Sequence, residues 1–209
     1  MNDNVPYSPL NGLPEAWRDG LKEEVKRSAI AFVTIWALFF AVCAVFPDLR
    51  AKLVEMMFST LNSKNLSGGS GKISVLALFL NNVEAAAFIM LYGLLPFIQL
   101  PALALGVNAM MLGVMASWYA AEEISLLAYL AALLPHGVLE LPALFLAFGT
   151  GLYICGQLSR RCRKDQSARS LWSCMTLASQ MLLWVLVPLL LIASCVEAYV
   201  TPAVAALFL

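Results

Sequence analysis

Residues 133–143 read Leu-Leu-Pro-His-Gly-Val-Leu-Glu-Leu-Pro-Ala and hold the chain's only histidine, His136, four positions before Glu140. An imidazole and a carboxylate one helical turn apart suit two kinds of chemistry. They can ligate a cation such as Zn²⁺, or pass a proton between an acid and a base. Ionisable groups at membrane depth are costly and are kept mostly where they pair or act. Pro135 and Gly137 both disfavour helix, so an expected helix break coincides with the polar groups.

Two further ionisable side chains lie in apolar segments, Glu84 and Glu197, with Asn81, Asn82, Asn108 and Thr201 as polar companions. If the segments pack as one bundle, all of these converge on a single polar pocket. His136 and Glu140 are then the candidate catalytic pair. A zinc site needs a third protein ligand, Glu84 or Glu197, because H-E-x-x-H is absent and no second histidine exists. The structural alternative has His136 and Glu140 satisfying the freed groups of a broken helix and locking its halves together. Nucleophilic catalysis has less behind it. No serine sits in a G-x-S-x-G elbow, and Cys155 or Cys195 would need His136 beside it. Gly68-Gly69-Ser70-Gly71 lacks the Lys-Ser/Thr of a phosphate loop.

The elements that must position these groups are set by composition. The 209 residues are 61% hydrophobic and 12% charged, against about 25% charged in a soluble domain. That composition identifies an integral membrane protein. A formal net charge of zero provides no basic face for nucleic acid. The five cysteines show no CxxC spacing and read as buried small hydrophobes.

Residues 1–27 form a charged leader in which Trp17, Leu21 and Val25 recur at i, i+4, i+8 after Pro14. This predicts a short amphipathic helix, on the membrane surface or packed under the bundle. Residues 28–209 form a single transmembrane domain. Its first span, Ser28–Phe46, has about the length a bilayer core demands. Residues 50–65 predict a second interfacial helix, and Asn65–Gly71 a flexible loop. The apolar stretch Ile73–Ile98 is expected to divide at Asn81-Asn82, with a crossing helix after it to about Phe97. Pro96 and Pro101 mark a turn before a helix over about Ala102–Trp118, whose Gly106 and Gly113 suit close helix packing. Glu122-Glu123 ends that helix in a loop. Ile124–Leu158 exceeds about 50 Å as one helix. It is therefore expected to form a broken or re-entrant hairpin at Pro135-Gly137. A last span covers about 171–199. Loop 159–170 carries Arg160, Arg161, Arg163, Lys164 and Arg169, which the positive-inside rule places in the cytoplasm with the N-terminus. The fold class is thus all-α, a polytopic bundle of about five spans with a broken helix and interfacial helices.

Leu134-Pro135-His136-Gly137-x-x-Glu140-Leu141-Pro142-Ala143 resembles the stage II sporulation protein M family. Asn81-Asn82, Gly106-x-Asn108 with Gly113, Gly149-x-Gly151 and Glu197-Ala198-Tyr199-x-Thr201-Pro202 accompany the motif, over roughly residues 73–202. Asn108 is followed by Ala109 where the family more often has glycine. The resemblance implies a compact polytopic membrane protein, whose founding member acts in a complex that remodels septal peptidoglycan beside separate hydrolases. Relatives are linked to maturation or export of circular bacteriocins. The leading functional expectation is therefore a non-enzymatic scaffold or subunit of a cell-envelope complex in the cell membrane. Its partners would be the lipid bilayer, further copies of itself or other envelope proteins. The alternatives are an intramembrane metal-dependent hydrolase or peptide-maturation enzyme with zinc at His136 and Glu140, and a transporter-like protein for an amphiphile.

Overall fold

A computed structural model of the protein describes residues 12–63, 74–122 and 126–205. Side chains are described for all of these except 60–63, 126–128, 130–133, 135, 136, 202 and 205. The expected loop Asn65–Gly71 and Glu123 lie outside the described residues. Five helical stretches are long and apolar enough to cross a membrane. They are built on α2 (Lys22–Val45), α4 (Val75–Tyr92), α5 (Leu100–Ala121), α6 (Leu126–Cys162), and α7 (Leu171–Met181) with α8 (Val187–Tyr199). A wide π turn over Leu182–Leu186 joins α7 to α8 just ahead of Pro188, which has no N–H to give the preceding turn. Among the described residues, three shorter α-helices accompany them: α1 (Gly12–Ala16), α3 (Pro47–Ser63) and α9 (Thr201–Ala205). The all-α bundle of five spans is the observed architecture. Helix α6 is its axis, touching α2, α4, α5, α7 and α8. Its Ala143, Ala147 and Phe148 meet Phe32, Ile89, Leu105 and Leu190 in the main core.

From Gly12 onward the leader packs against the bundle. Gly20 takes φ +121°, a left-handed conformation suited to glycine, and folds the chain sharply between α1 and α2. Trp17 and Val25 therefore belong to different helical directions, and the i, i+4, i+8 stripe read from the sequence is broken at its middle. Ala16 and Leu21 are fully buried, and Gly12 abuts the amide oxygen of Gln180 in α7. The alternative reading, packing against the bundle, is the one observed.

A polar cluster anchors this arrangement. Tyr153 donates its hydroxyl to Asp19 at 2.6 Å, and Gln157 donates to the same oxygen at 3.2 Å. Arg169 donates through Nε to the Tyr153 hydroxyl at 3.0 Å, and its backbone N–H reaches Gln157 Oε1 at 3.1 Å. The Arg169 guanidinium also lies 3.9 Å from both Glu15 and Asp19. The α6–α7 connection that presents Arg169 is itself closed by Asp165, which accepts from Arg160 at 2.9 Å and from the Ser167 hydroxyl at 2.7 Å. These bonds hold the Asp165 carboxyl down at about 2, Ser167 first and Arg160 next.

At the opposite end, α3 packs Val54 and Met57 against Cys43 and Val114. Phe58 meets Trp118 edge-on with centroids 6.0 Å apart, and the ring chain continues through Tyr119 to Tyr129. Such aromatic clusters suit a membrane–water boundary. The amphipathic helix expected over 50–65 is thus present at 47–63 and covers the ends of α2 and α5.

Two expected breaks are absent. Helix α4 runs through Asn81 and Asn82 without interruption, capped at its start by Ser74 Oγ, which accepts from the Ala77 N–H at 3.3 Å. Its 18 residues measure about 27 Å, close to the ~30 Å core, so no second segment is needed. Helix α6 likewise continues through Pro135, His136 and Gly137 for 37 residues. The reason lies in the cost of the alternative. A break within hydrocarbon leaves about four N–H and four C=O groups unsatisfied at each new pair of ends, at several kcal/mol each. Each proline in a continuous helix leaves only one carbonyl without its donor, that of Ala131 for Pro135 and of Val138 for Pro142, at about 3 kcal/mol each. The length of α6, about 55 Å, is accommodated because its first turns reach the aromatic cluster and its last turn carries Arg160 and Arg161.

Glycines set the closest approaches between spans. A Cβ on Gly149 would lie 2.7 Å from Val25 Cα, and one on Gly151 2.7 Å from the Ile89 carbonyl. Gly113 admits the Trp36 carbonyl in the same way, whereas at Gly106 the nearest atom is an ordinary 4.0 Å away.

Gly149→Ala is therefore expected to lower thermal stability in detergent by about 1–3 kcal/mol, despite alanine's better helix propensity. Gly156→Ala, with nothing within 4 Å, is expected to be neutral or stabilising by about 0.5–1 kcal/mol. A melting temperature lowered equally by both would contradict the backbone contact at Gly149. A second expectation follows from Asp165. Its folded value is depressed, so its stabilisation is complete above the ordinary 3.8 and is lost as pH falls towards about 2. The stability difference between wild type and Asp165→Asn should be constant above about pH 5 and shrink below it. A difference that grows on acidification would show the sign to be wrong.

Candidate functional site

Helices α2, α5 and α6 enclose a cavity of about 140 Å³ that holds the most distinctive part of the sequence. Gly137, Glu140, Leu141 and Leu144 supply one wall, at the i, i+3, i+4, i+7 spacing that forms a single helix stripe. Asn108 and Leu112 face them from α5, and Phe32 from α2. Phe32 is fixed by an edge-on contact with Phe145, centroids 5.3 Å apart. The Asn108 amide donates to its own helix at the Ala104 carbonyl, 2.9 Å away. Gly137 is buried and lines the cavity together with Glu140.

Glu197 stands on α8, which packs against α6. Glu140 is half-buried and has interactions of its own. Because α6 is continuous, positions 136 and 140 lie one turn apart on the same stripe. The His136 side chain lies outside the described residues. Thr201 stands where α9 begins, its hydroxyl 3.4 Å from the Val196 carbonyl. Among the described residues, no group of three or more His, Cys, Asp or Glu side chains is placed to hold a metal.

The remaining candidates lie elsewhere. Asn81 and Asn82 are half-buried on α4, with a long amide contact of 3.5 Å between them. Glu84 is exposed on the outer face of α4 and does not line the cavity. It shares a stripe with Leu80, Phe88 and Leu91, all about half exposed. The structure thus unites Glu140, Gly137 and Asn108, places Glu197 on the neighbouring α8, and leaves Glu84 exposed on α4.

The cluster of Asp19, Tyr153, Gln157 and Arg169 was not foreseen from the sequence. Its signal was present but faint. Tyr153 and Gln157 are spaced i, i+4 in an otherwise apolar helix, and Asp19 precedes the glycine that turns the chain. Arg169 reads as one more member of a basic loop until its partners are seen.

The two walls of the cavity carry the Pro-His-Gly-x-x-Glu and Gly-x-Asn elements, so residues distant in sequence occupy one place. Comparison with curated proteins and with solved structures finds no match. A family model does match, Stage II sporulation protein M, over residues 28–202. That range takes in the first span as well as the motif region, and the chain belongs to the Stage II sporulation protein M family.

Proposed function

We propose that the protein is an assembling subunit of a cell-envelope membrane complex, associating with a second copy of itself through the outer face of α4. The observation that carries this reading is the position of Glu84. It is the tenth of the 18 residues of α4 and is exposed, so it faces outward near mid-depth of the bilayer. A carboxylic side chain there costs about 2.5–3.5 kcal/mol on insertion scales. Such groups almost always face a protein interior or a wet cavity. Covering the α4 face with another helix removes that cost, and polar side chains strengthen helix association in membranes. Leu80, Phe88 and Leu91 supply the apolar contact on either side. The basic loop after α6 supports a cytoplasmic position for its end of the bundle under the positive-inside rule. The transporter reading depended on a broken helix, and α6 is continuous.

A second reading draws on Glu140 beside Asn108 in the cavity, with Glu197 on the helix that packs against α6. Two carboxylates from different helices, with His136 one turn from Glu140, are a ligand set for zinc. An intramembrane hydrolase or peptide-maturation enzyme would be centred there.

The assembly reading expects the purified protein to be dimeric or larger in light-scattering measurements. Glu84→Leu should move it towards monomer, and Glu84→Gln should preserve association through its amide. Wild-type protein that stays monomeric over the accessible concentration range would overturn it. The second reading is checked by the zinc content of the same preparations. It expects close to one metal ion per chain, lost in Glu140→Gln. Metal content unaffected by that substitution would remove it.

A further inference from the structure

We propose that the groove between the folded-back leader and the bundle binds an anionic diacyl phospholipid, one acyl chain lying in the groove and the phosphodiester resting on Arg18. The groove has a volume of about 460 Å³, within the roughly 300–1,000 Å³ range of ligand sites. Pro14, Trp17 and Leu21 form its leader side, and Leu146, Met181 and Val185 its bundle side. Apart from Arg18, every side chain lining it is apolar.

Its direction matches a lipid. The cluster of Asp19, Gln157 and Arg169 marks the basic end of the bundle, where the charged loop begins. About 16 Å of helix separates Gln157 from Leu146, so the groove descends from that polar level towards the bilayer centre. Arg18 adjoins Asp19 and therefore stands at the upper level. Trp17, 40% exposed, has the amphipathic ring that settles at headgroup depth. An acyl chain entering here would pass from interface to hydrocarbon without leaving its own leaflet.

The charge is complementary as well. Arg18 is exposed, and only its Nε is engaged, donating to the Pro14 carbonyl at 3.2 Å. Its two terminal nitrogens have no bond among the described residues, so the guanidinium can meet a phosphodiester with both. The carboxylates that adjoin it in sequence have another cation as partner. Glu15 and Asp19 are both directed to Arg169, each 3.9 Å away. Gly20 produces the groove by folding the leader back, and the π turn over Leu182–Leu186 shapes its deeper wall.

Native mass spectrometry of the full-length protein tests this with three probes: dioleoyl phosphatidylglycerol, dioleoyl phosphatidylcholine and inorganic phosphate. The wild type should retain one phosphatidylglycerol per chain in preference to phosphatidylcholine. Arg18→Gln should weaken that retention by about tenfold, the scale of one charge-assisted contact, and erase the headgroup preference. Val185→Trp, which fills the groove and leaves Arg18 in place, should reduce retention of both lipids. Unchanged melting temperatures would show each variant to be folded. Equal retention of the two lipids by wild type would overturn the proposal. So would phosphatidylglycerol binding that is unaffected by Arg18→Gln, or displacement of the lipid by inorganic phosphate alone.

Discussion

Hydrocarbon offers a peptide group no partner, and every feature of this chain is subordinate to that fact. A helix that stops inside the bilayer must satisfy about eight backbone groups by other means, whereas one that tolerates a proline loses a single bond. The chain accordingly keeps α4 intact through two asparagines and α6 intact through Pro-His-Gly. Among the described residues, irregular backbone is confined to connections and to two π turns, Trp17–Leu21 and Leu182–Leu186. Gly20, Phe97 and Lys164 take positive φ at junctions between elements. The Phe97 N–H finds the Ser159 hydroxyl at 2.8 Å, so even that strained turn leaves its donor satisfied.

Continuous helices must still pack closely, and in lipid no hydrophobic effect draws them together. Close backbone approach supplies the contact instead. Gly149 and Gly151 present two sides of α6 to α2 and α4, and Gly113 lets α5 press against α2. This explains why α6 can touch every other span. The same packing brings Glu140 and Asn108 to a common wall, because the helix that carries the glycines also carries the polar motif one stripe away. The site is a consequence of the scaffold's tightest contacts.

The sequence made the span count, the family and the helical class legible, since each depends on apolar length and local motif. It was less informative wherever a local signal competed with a distant partner. Pro135 and Gly137 are helix breakers in isolation, and their tolerance depends on neighbouring helices that no local window contains. The stripe of Trp17, Leu21 and Val25 was a true periodicity with a false continuity, because Gly20 turns the chain between its members. Glu84 and Glu140 look alike as carboxylates in apolar runs. Only the packing separates them, one on the outer face of α4 and the other beside Asn108. Asp19, Tyr153, Gln157 and Arg169 lie too far apart along the chain for spacing to join them.

The polar groups of this protein therefore fall into three settings with different physical demands. Those at the basic end, around Arg169, answer one another through short hydrogen bonds and keep the leader folded onto α6 and α7. Those around Glu140 share a small cavity in the interior, where the surrounding helices stand in for water. Glu84 belongs to neither, and nothing within the described chain offsets its exposure at mid-depth. A carboxylic side chain facing hydrocarbon at that depth costs about 2.5–3.5 kcal/mol on insertion scales, a cost that a covering helix would remove. The polar cluster acts within one chain, whereas Glu84 lies on the outside of α4, and the proposed association rests on that difference.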